Sequence, residues 1–244
     1  MDLLFVLGVG LAAGTISGIV GFGSSIMLMP VLVIVYGPLQ AVPIMAIAAI
    51  LANVSRVLIW WREVDWRACA AYSLTAAPAA ALGARTLLVL PPAWIEGALG
   101  VFFLLMIPAR RWLAAHGLRL GPRHLLVIGA GIGFLTGIVV TTGPITAPIF
   151  LATGLVKGAF IATEAAGSLA VYLSKTAVFR QFGALPAPVI TQGLITGASL
   201  MVGAWVARRF VLRLHPDRFR LLMDALMLVS GATMLWTALI GVRS

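Results

Sequence analysis

Residues 14–25 read GTISGIVGFGSS and are followed by Pro30, and this stretch is the strongest indication of the fold. A second stretch resembles it closely: residues 133–144 read GFLTGIVVTTGP and are followed by Pro148. Each copy places glycine, serine or threonine and then proline inside a long uncharged segment. The pattern predicts an internal duplication in which each half opens with a helix that breaks inside an apolar region.

Further pairs of residues match at nearly the same offset outside these two stretches. Ser55-Arg56 corresponds to Ser174-Lys175, and Gly83-Ala84 corresponds to Gly203-Ala204. Runs of small residues are common in membrane helices, so glycine matches alone are weak support for a duplication. The pairs that contain serine and a basic residue strengthen it.

The composition excludes most classes of protein. Of the 244 residues, 61% are hydrophobic and 10% are charged, whereas a soluble domain has about 45–50% apolar and about 25% charged residues. A soluble enzyme, a disordered chain and a disulfide scaffold are therefore excluded. Cys69, the single cysteine, is interpreted as a small apolar helix residue. No cofactor and no metal site are predicted.

The long uncharged stretches predict an all-α integral membrane protein. A helix that crosses a bilayer needs about 20 residues at about 1.5 Å each. The segments 24–36 and 144–154 are too short to cross comfortably, and the sequence leaves open whether they cross or re-enter. The predicted helical segments are 3–20, 24–36, 39–61, 67–88, 93–109, 124–140, 144–154, 158–180, 187–207 and 219–241.

The net charge of +10 is interpreted as a membrane feature rather than as a nucleic-acid surface. The basic residues lie in short gaps between apolar runs, which is typical of cytoplasmic loops beside an anionic leaflet. Four arginines and no acid occur in residues 110–123, and residues 208–220 hold five arginines and one aspartate. Both segments are therefore expected in the cytoplasm.

The number of crossings between these two loops predicts the relation of the halves. Because both loops are expected in the cytoplasm, the chain must cross the membrane an even number of times between them. Segments 158–180 and 187–207 supply two crossings, so the pair 124–140 and 144–154 must count as two or none. Each half then has an odd number of segments, about five, and the halves are inverted. The expected division is a first repeat at 1–109, a basic cytoplasmic linker at 110–123 and a second repeat at 124–244. The protein is expected in the cell inner membrane, with its N-terminus on the side opposite the cytoplasm.

The two helix breaks are candidate binding elements. Free N–H groups and a partial positive charge at a helix N-terminus suit an anion, and inverted repeats with discontinuous helices bind substrate near the membrane midplane. The alternative is that the small residues only permit close helix packing. The candidate residues at the breaks are Gly21, Gly23, Ser24, Ser25, Thr141, Thr142 and Gly143.

Ionisable residues inside predicted spans are further candidates, because charge within a membrane is costly and usually functional. Arg56 and Lys175 are expected to attract an anion at the two mouths of a pathway, with Asn53 on the same helix face as Arg56. The alternative is that both cations extend to the nearest headgroups. Glu164 is a candidate for carrying a proton, and its alternative is a carboxylate near the interface.

With these residues laid out, the chain resembles the TauE/SafE family of sulfite and organosulfonate exporters over nearly its whole length. The resemblance implies an integral inner-membrane protein of duplicated helices that moves anions, often small sulfur-containing ones. The residues that carry it are Gly14 to Pro30 with Val31-Leu32, Glu63-Val64-Asp65-Trp66, Gly83-Ala84-Arg85, Gly133 to Pro148 and Gly203-Ala204.

The favoured function is a secondary transporter that exports a small anion by alternating access, with proton coupling as an option. Its expected partners are the anion and the lipid bilayer, and the oligomeric state is open. The chain contains no Gly-x-x-x-x-Gly-Lys-Ser/Thr motif. One alternative is a passive anion channel. An intramembrane enzyme is much less favoured, because His116, His124 and His215 lie in or beside loops and leave Ser24 without a base.

Overall fold

The computed structural model describes residues 2–20, 23–116, 119–139 and 142–207, together with the single positions 228, 232, 235 and 236. These residues form nine α-helices and one short 3-10 helix. The helices are α1 (Asp2–Val20), α2 (Ser24–Tyr36), α3 (Pro38–Trp60), α4 (Trp66–Leu88), α5 (Pro92–Ala115), α6 (Pro122–Ile138), α7 (Gly143–Leu151), α8 (Lys157–Gln181) and α9 (Ala187–Ala207).

The all-α prediction is confirmed, and each of the first nine predicted segments contains a helix, although α7 ends at Leu151 rather than at residue 154. The 3-10 helix Trp61–Glu63 joins α3 to α4, and Asp65 begins α4 by accepting hydrogen bonds from Arg67 N and Ala68 N, both at 3.0 Å. The tenth predicted segment, 219–241, lies outside the described residues except for the four single positions.

One helix is longer than the sequence predicts. We expected a helical segment at 93–109 followed by a linker, but α5 continues to Ala115. The added residues, Arg110 to Ala115, include arginine, leucine and alanine, which favour helix even where charge ends an apolar span. The described residues between α5 and α6 are therefore 116 and 119–121.

Corresponding helices of the two sequence halves make corresponding contacts. By the predicted duplication α1 corresponds to α6 and α4 corresponds to α9. The helix α1 packs on α9, and α6 packs on α4; likewise α3 packs on α9, and α8 packs on α4. The helices α3 and α8 also pack on each other.

Glycines make two of these contacts possible. A Cβ added to Gly14 would fall on the backbone of Leu200, and one added to Gly133 would fall on the backbone of Ala76. Small residues let helix backbones approach closely where the lipid supplies no hydrophobic driving force. The glycines ahead of each helix break therefore serve packing.

The distribution of polar and apolar side chains is that of a protein in lipid. Large apolar side chains such as Leu4, Ile34 and Val127 are exposed, whereas Arg56 and Lys175 are buried. Charge that lies within a membrane faces the interior of the helix bundle. The reverse arrangement is usual in water.

Two described helical stretches, Leu39–Glu63 and Ala187–Ala207, are by length and composition alone apolar enough to cross a membrane. Shorter apolar stretches occur at Leu4–Gly18, Ser24–Tyr36, Gly100–Ala109 and Pro122–Ile138. The helix α8 is long, but it carries Glu164, Lys175 and Arg180, which lower its hydropathy.

Candidate functional site

A polar cavity lies among α2, α3, α4, α6, α7 and α8. Its volume, taken as the space open to the centre of a water molecule, is about 20 Å³. Both helix breaks reach it, and so do the candidate residues Asn53, Arg56 and Glu164 of the long helices α3 and α8. The residues named above as candidates that line it are Gly23, Ser24, Ser25, Asn53, Arg56, Thr142, Gly143 and Glu164.

Three other candidate residues are not in this group. Gly21 and Thr141 lie outside the described residues. Lys175 is described, but it does not line the cavity.

The first break directs the start of α2 toward the cavity. Gly23 precedes α2 in the left-handed region, with φ 109°, a conformation that favours glycine. The first hydrogen bond within the helix runs from Met27 N to Gly23 O at 3.2 Å. The N–H groups of Ser24 and Ser25 come before it, and both residues are buried at the cavity wall. This end of α2 therefore presents backbone and hydroxyl donors together.

The second break presents fewer backbone donors than the sequence suggested. Thr142 precedes α7, and its carbonyl accepts from Ile145 N at 2.8 Å and from Thr146 N at 2.9 Å. Pro144 has no N–H to offer. The two breaks are thus related in sequence but unequal in the backbone donors they present, and α2 presents more of them.

A hydrogen bond joins the two sides of the second break. Thr136 Oγ1, in the last turns of α6, donates to Ile132 O at 2.7 Å. Because a hydroxyl has one proton, Thr136 must accept its other contact, which comes from Thr142 Oγ1 at 2.6 Å. The side chain of Thr142 is therefore held against α6, with the cavity on its other side.

Arg56 is the cation of the cavity among the described residues. It is only 6% exposed, so the alternative that it extends to the headgroups is wrong. Its Nη2 donates to Asn53 Oδ1, and Asn53 Nδ2 donates to Ala49 O at 2.8 Å. This chain of bonds confirms that Asn53 and Arg56 share a face of α3, and it fixes the guanidinium group.

Glu164 lies on α8 opposite Arg56 and is the acid of the cavity. Its Oε2 is 3.5 Å from Arg56 Nη1, and its Oε1 accepts from Ser168 Oγ at 2.8 Å. At 3% exposure the carboxylate is buried, which is not the interfacial position of the alternative reading. The two residues are 108 positions apart in the sequence.

Lys175 is buried like Arg56 but serves another part of the structure. It is 0% exposed, so it does not extend to the headgroups. Its Nζ donates to Thr136 O at 2.8 Å and to Val139 O at 2.9 Å. These are carbonyls at the C-terminal end of α6, where a cation is favourable. Lys175 therefore caps the helix that leads into the second break.

Several residues of the cavity wall were not predicted from the sequence. Tyr72 from α4 and Tyr172 from α8 line the cavity, as do Thr136, Thr146 and Ser168. The chain has three tyrosines, and two of them are here. A tyrosine within an apolar helix needs a partner for its hydroxyl, which is the signal that could have identified them.

The arrangement suits binding of a small anion rather than catalysis. One guanidinium group, several hydroxyls and the start of α2 converge on the cavity. Within the described ranges, no group of three or more His, Cys, Asp or Glu residues could hold a metal ion. A helical membrane protein with ionisable side chains buried around a polar cavity has the architecture expected of a transport protein.

The comparison with known families agrees with this class. Residues 6–234 match the family described as Sulfite exporter TauE/SafE. The match covers nearly the whole chain, and the protein belongs to this family. It is therefore a membrane protein of a transporter family whose members are sulfite and anion exporter permeases. No curated protein and no solved structure matches the chain.

Proposed function

We propose that the protein is a secondary transporter that exports a small anion, such as sulfite or an organosulfonate, and that the anion binds in the cavity beside Arg56. The observation that carries this proposal is a buried guanidinium group at the wall of a cavity that the start of α2 also lines. A fixed cation in a low-dielectric site attracts an anion far more strongly than one in water.

Arg56 has donors to spare for such a ligand. A guanidinium group carries five N–H donors. Nε contacts Ala52 O, Nη1 contacts Glu164 and Nη2 contacts Asn53. One hydrogen on each terminal nitrogen is left without a partner among the described residues. Each of these hydrogens can donate to an oxygen of a sulfite or sulfonate group.

The residues at the breaks complete the proposed site. The hydroxyls of Ser24 and Ser25 and the backbone at Gly23 donate to the anion from α2, while the backbone of Thr142 and Gly143 contributes from the other break. Gly21 and Thr141, the neighbours of these residues in the sequence, are proposed to take part as well. Asn53 orients Arg56 by the hydrogen bond described above.

Alternating access is proposed to move one half of the chain against the other. The halves are 1–109 and 124–244, joined by the basic segment 110–123, and we propose that they are inverted repeats with the N-terminus outside the inner membrane. The exchanged packing of α1 on α9 and of α6 on α4 supports a two-fold relation. The loop charges support the inversion.

Proton coupling is proposed to depend on Glu164. A carboxylate within a membrane that can gain or lose a proton is the usual element of such coupling. Glu164 contacts Arg56 directly, so its charge acts on the same cation as the substrate does.

Counterflow in proteoliposomes tests the proposal. Vesicles are loaded with unlabelled sulfite and then receive labelled sulfite outside. A transient accumulation of label is expected, because a carrier exchanges its substrate across the membrane. Flux without such an overshoot supports the passive channel instead, and overshoot with a sulfonate alone changes the substrate. Arg85→Gln, which removes an exposed arginine, is the matched control for variants of Arg56.

A further inference from the structure

We infer that Glu164 is an internal competitor of the substrate: its carboxylate contacts Arg56, and an entering anion displaces it. The inference rests on the proposed function and deepens it, since it states how the same site changes when the anion binds. It also makes the uptake of a proton part of binding.

The geometry of the pair fits displacement. Charge-assisted hydrogen bonds usually measure about 2.7–2.9 Å, whereas Arg56 Nη1 and Glu164 Oε2 are 3.5 Å apart, with a single contact. The other carboxylate oxygen is held by Ser168 at 2.8 Å. Glu164 can therefore leave the guanidinium group and keep one firm partner on its own helix.

Arg56 is the cation for which Glu164 and the substrate compete. Lys175 is committed to two carbonyls of α6 and does not line the cavity. Within the described part of the chain, Arg56 is thus the cation that a bound anion can reach. Glu164 and the substrate must share it or exclude each other.

Charge balance predicts that a proton is taken up when the anion binds. Arg56 and Glu164 together are neutral, so an anion adds a net negative charge to a buried site, which is costly. The ionisable groups that line the cavity with Glu164 are Arg56 on α3, Tyr72 on α4 and Tyr172 on α8. A proton that neutralises Glu164 restores balance for a singly charged anion. One proton is then taken up for each anion bound.

The test compares wild type with Glu164→Gln in counterflow of a sulfonate such as isethionate, whose charge does not change with pH near neutrality. The amide cannot compete for Arg56, so KM is expected to fall about fivefold or more. In wild type KM rises as pH rises, because deprotonated Glu164 competes; in the variant KM does not depend on pH. Glu63→Gln, on the exposed 3-10 helix, is the matched control.

A double variant identifies the group for which the two anions compete. If Glu164 acts through Arg56, then Glu164→Gln gives no gain in affinity in an Arg56→Gln background. Glu164→Asp provides a second test in case the amide disturbs folding. Its shorter side chain still titrates but competes less well for Arg56, so KM falls less than in Glu164→Gln and a weaker pH dependence persists.

The outcomes distinguish failure of the inference from failure of the proposed function. An unchanged or higher KM in Glu164→Gln, in vesicles where wild type exchanges the anion, overturns the inference and leaves the proposed function intact. A gain that persists without Arg56 also overturns it. If wild type exchanges neither sulfite nor the sulfonate, the proposed function fails and the inference fails with it.

Discussion

Arg56 and Lys175 occupy corresponding positions in the two sequence halves, yet their charged groups make different contacts. Arg56 Nη1 lies 3.5 Å from Glu164 Oε2, whereas Lys175 Nζ lies 2.8 Å from Thr136 O. The first cation is directed into the cavity, and the second holds the end of α6. The duplicated framework therefore carries one cation for the proposed ligand and one for the fold.

Replacing Lys175 by methionine is expected to destabilise the protein more than it weakens anion binding. The change keeps the volume but leaves the carbonyls of Thr136 and Val139 without their donor, at a cost of about 1–3 kcal/mol. Thermal unfolding in detergent measures this loss. Lys175→Arg, which keeps the charge, is the control. Unchanged stability together with a KM as high as that of Arg56→Gln would instead make Lys175 a ligand, as the sequence suggested.

Removing the hydroxyls of Ser24 and Ser25 is expected to raise KM in counterflow by about threefold to tenfold per residue, since each lost hydrogen bond to a charged ligand is worth roughly 1 kcal/mol or more. Ser199→Ala is the matched control, because Ser199 Oγ bonds to Thr196 O on α9 and does not line the cavity. Equal KM values in all three alanine variants would remove the start of α2 from the proposed site.

Two glycines on α6 are expected to respond differently to substitution by alanine. A Cβ at Gly133 would fall on the backbone of Ala76, whereas one at Gly131 meets nothing within 4 Å. Gly133→Ala is thus expected to destabilise the protein by about 1–3 kcal/mol. Gly131→Ala is expected to be neutral or slightly stabilising, since alanine favours helix. Thermal unfolding distinguishes them, and equal melting temperatures would contradict the tight α4–α6 contact.

Inversion of the halves predicts that corresponding turns lie on opposite sides of the membrane. The turn after α3 contains Glu63, and the turn after α8 follows Gln181. In a background with Cys69→Ala, a cysteine at residue 63 is expected to react with an impermeant reagent from the cytoplasm. A cysteine at residue 181 is expected to react from outside. Labelling of both from the same side would establish parallel halves.

The sequence predicts the helices well because charge and glycine or proline mark their ends. The start of α2 at Ser24 and of α7 at Gly143 follows from the motif at each break. Helical spacing also predicts that Asn53 shares a face with Arg56. These features are local, and local spacing is enough to derive them.

Contacts between helices that are far apart in the sequence cannot be derived from local spacing. The pair of Arg56 with Glu164 depends on how α3 packs against α8, and the bonds of Lys175 depend on where α6 ends. Spacing along α8 relates Glu164 to Lys175, but it does not reveal partners on other helices. The expectation of one cation at each mouth therefore missed that Arg56 faces the cavity and that Lys175 caps α6.

Equilibrium binding of labelled sulfite and of a labelled sulfonate to purified protein shows whether the anion binds at Arg56. Wild type and Arg85→Gln are expected to bind at least one of these anions saturably, and Arg56→Gln to bind it about tenfold or more weakly, because the guanidinium donors are lost. Binding by Arg56→Gln that equals wild type would show that the anion site is not at Arg56.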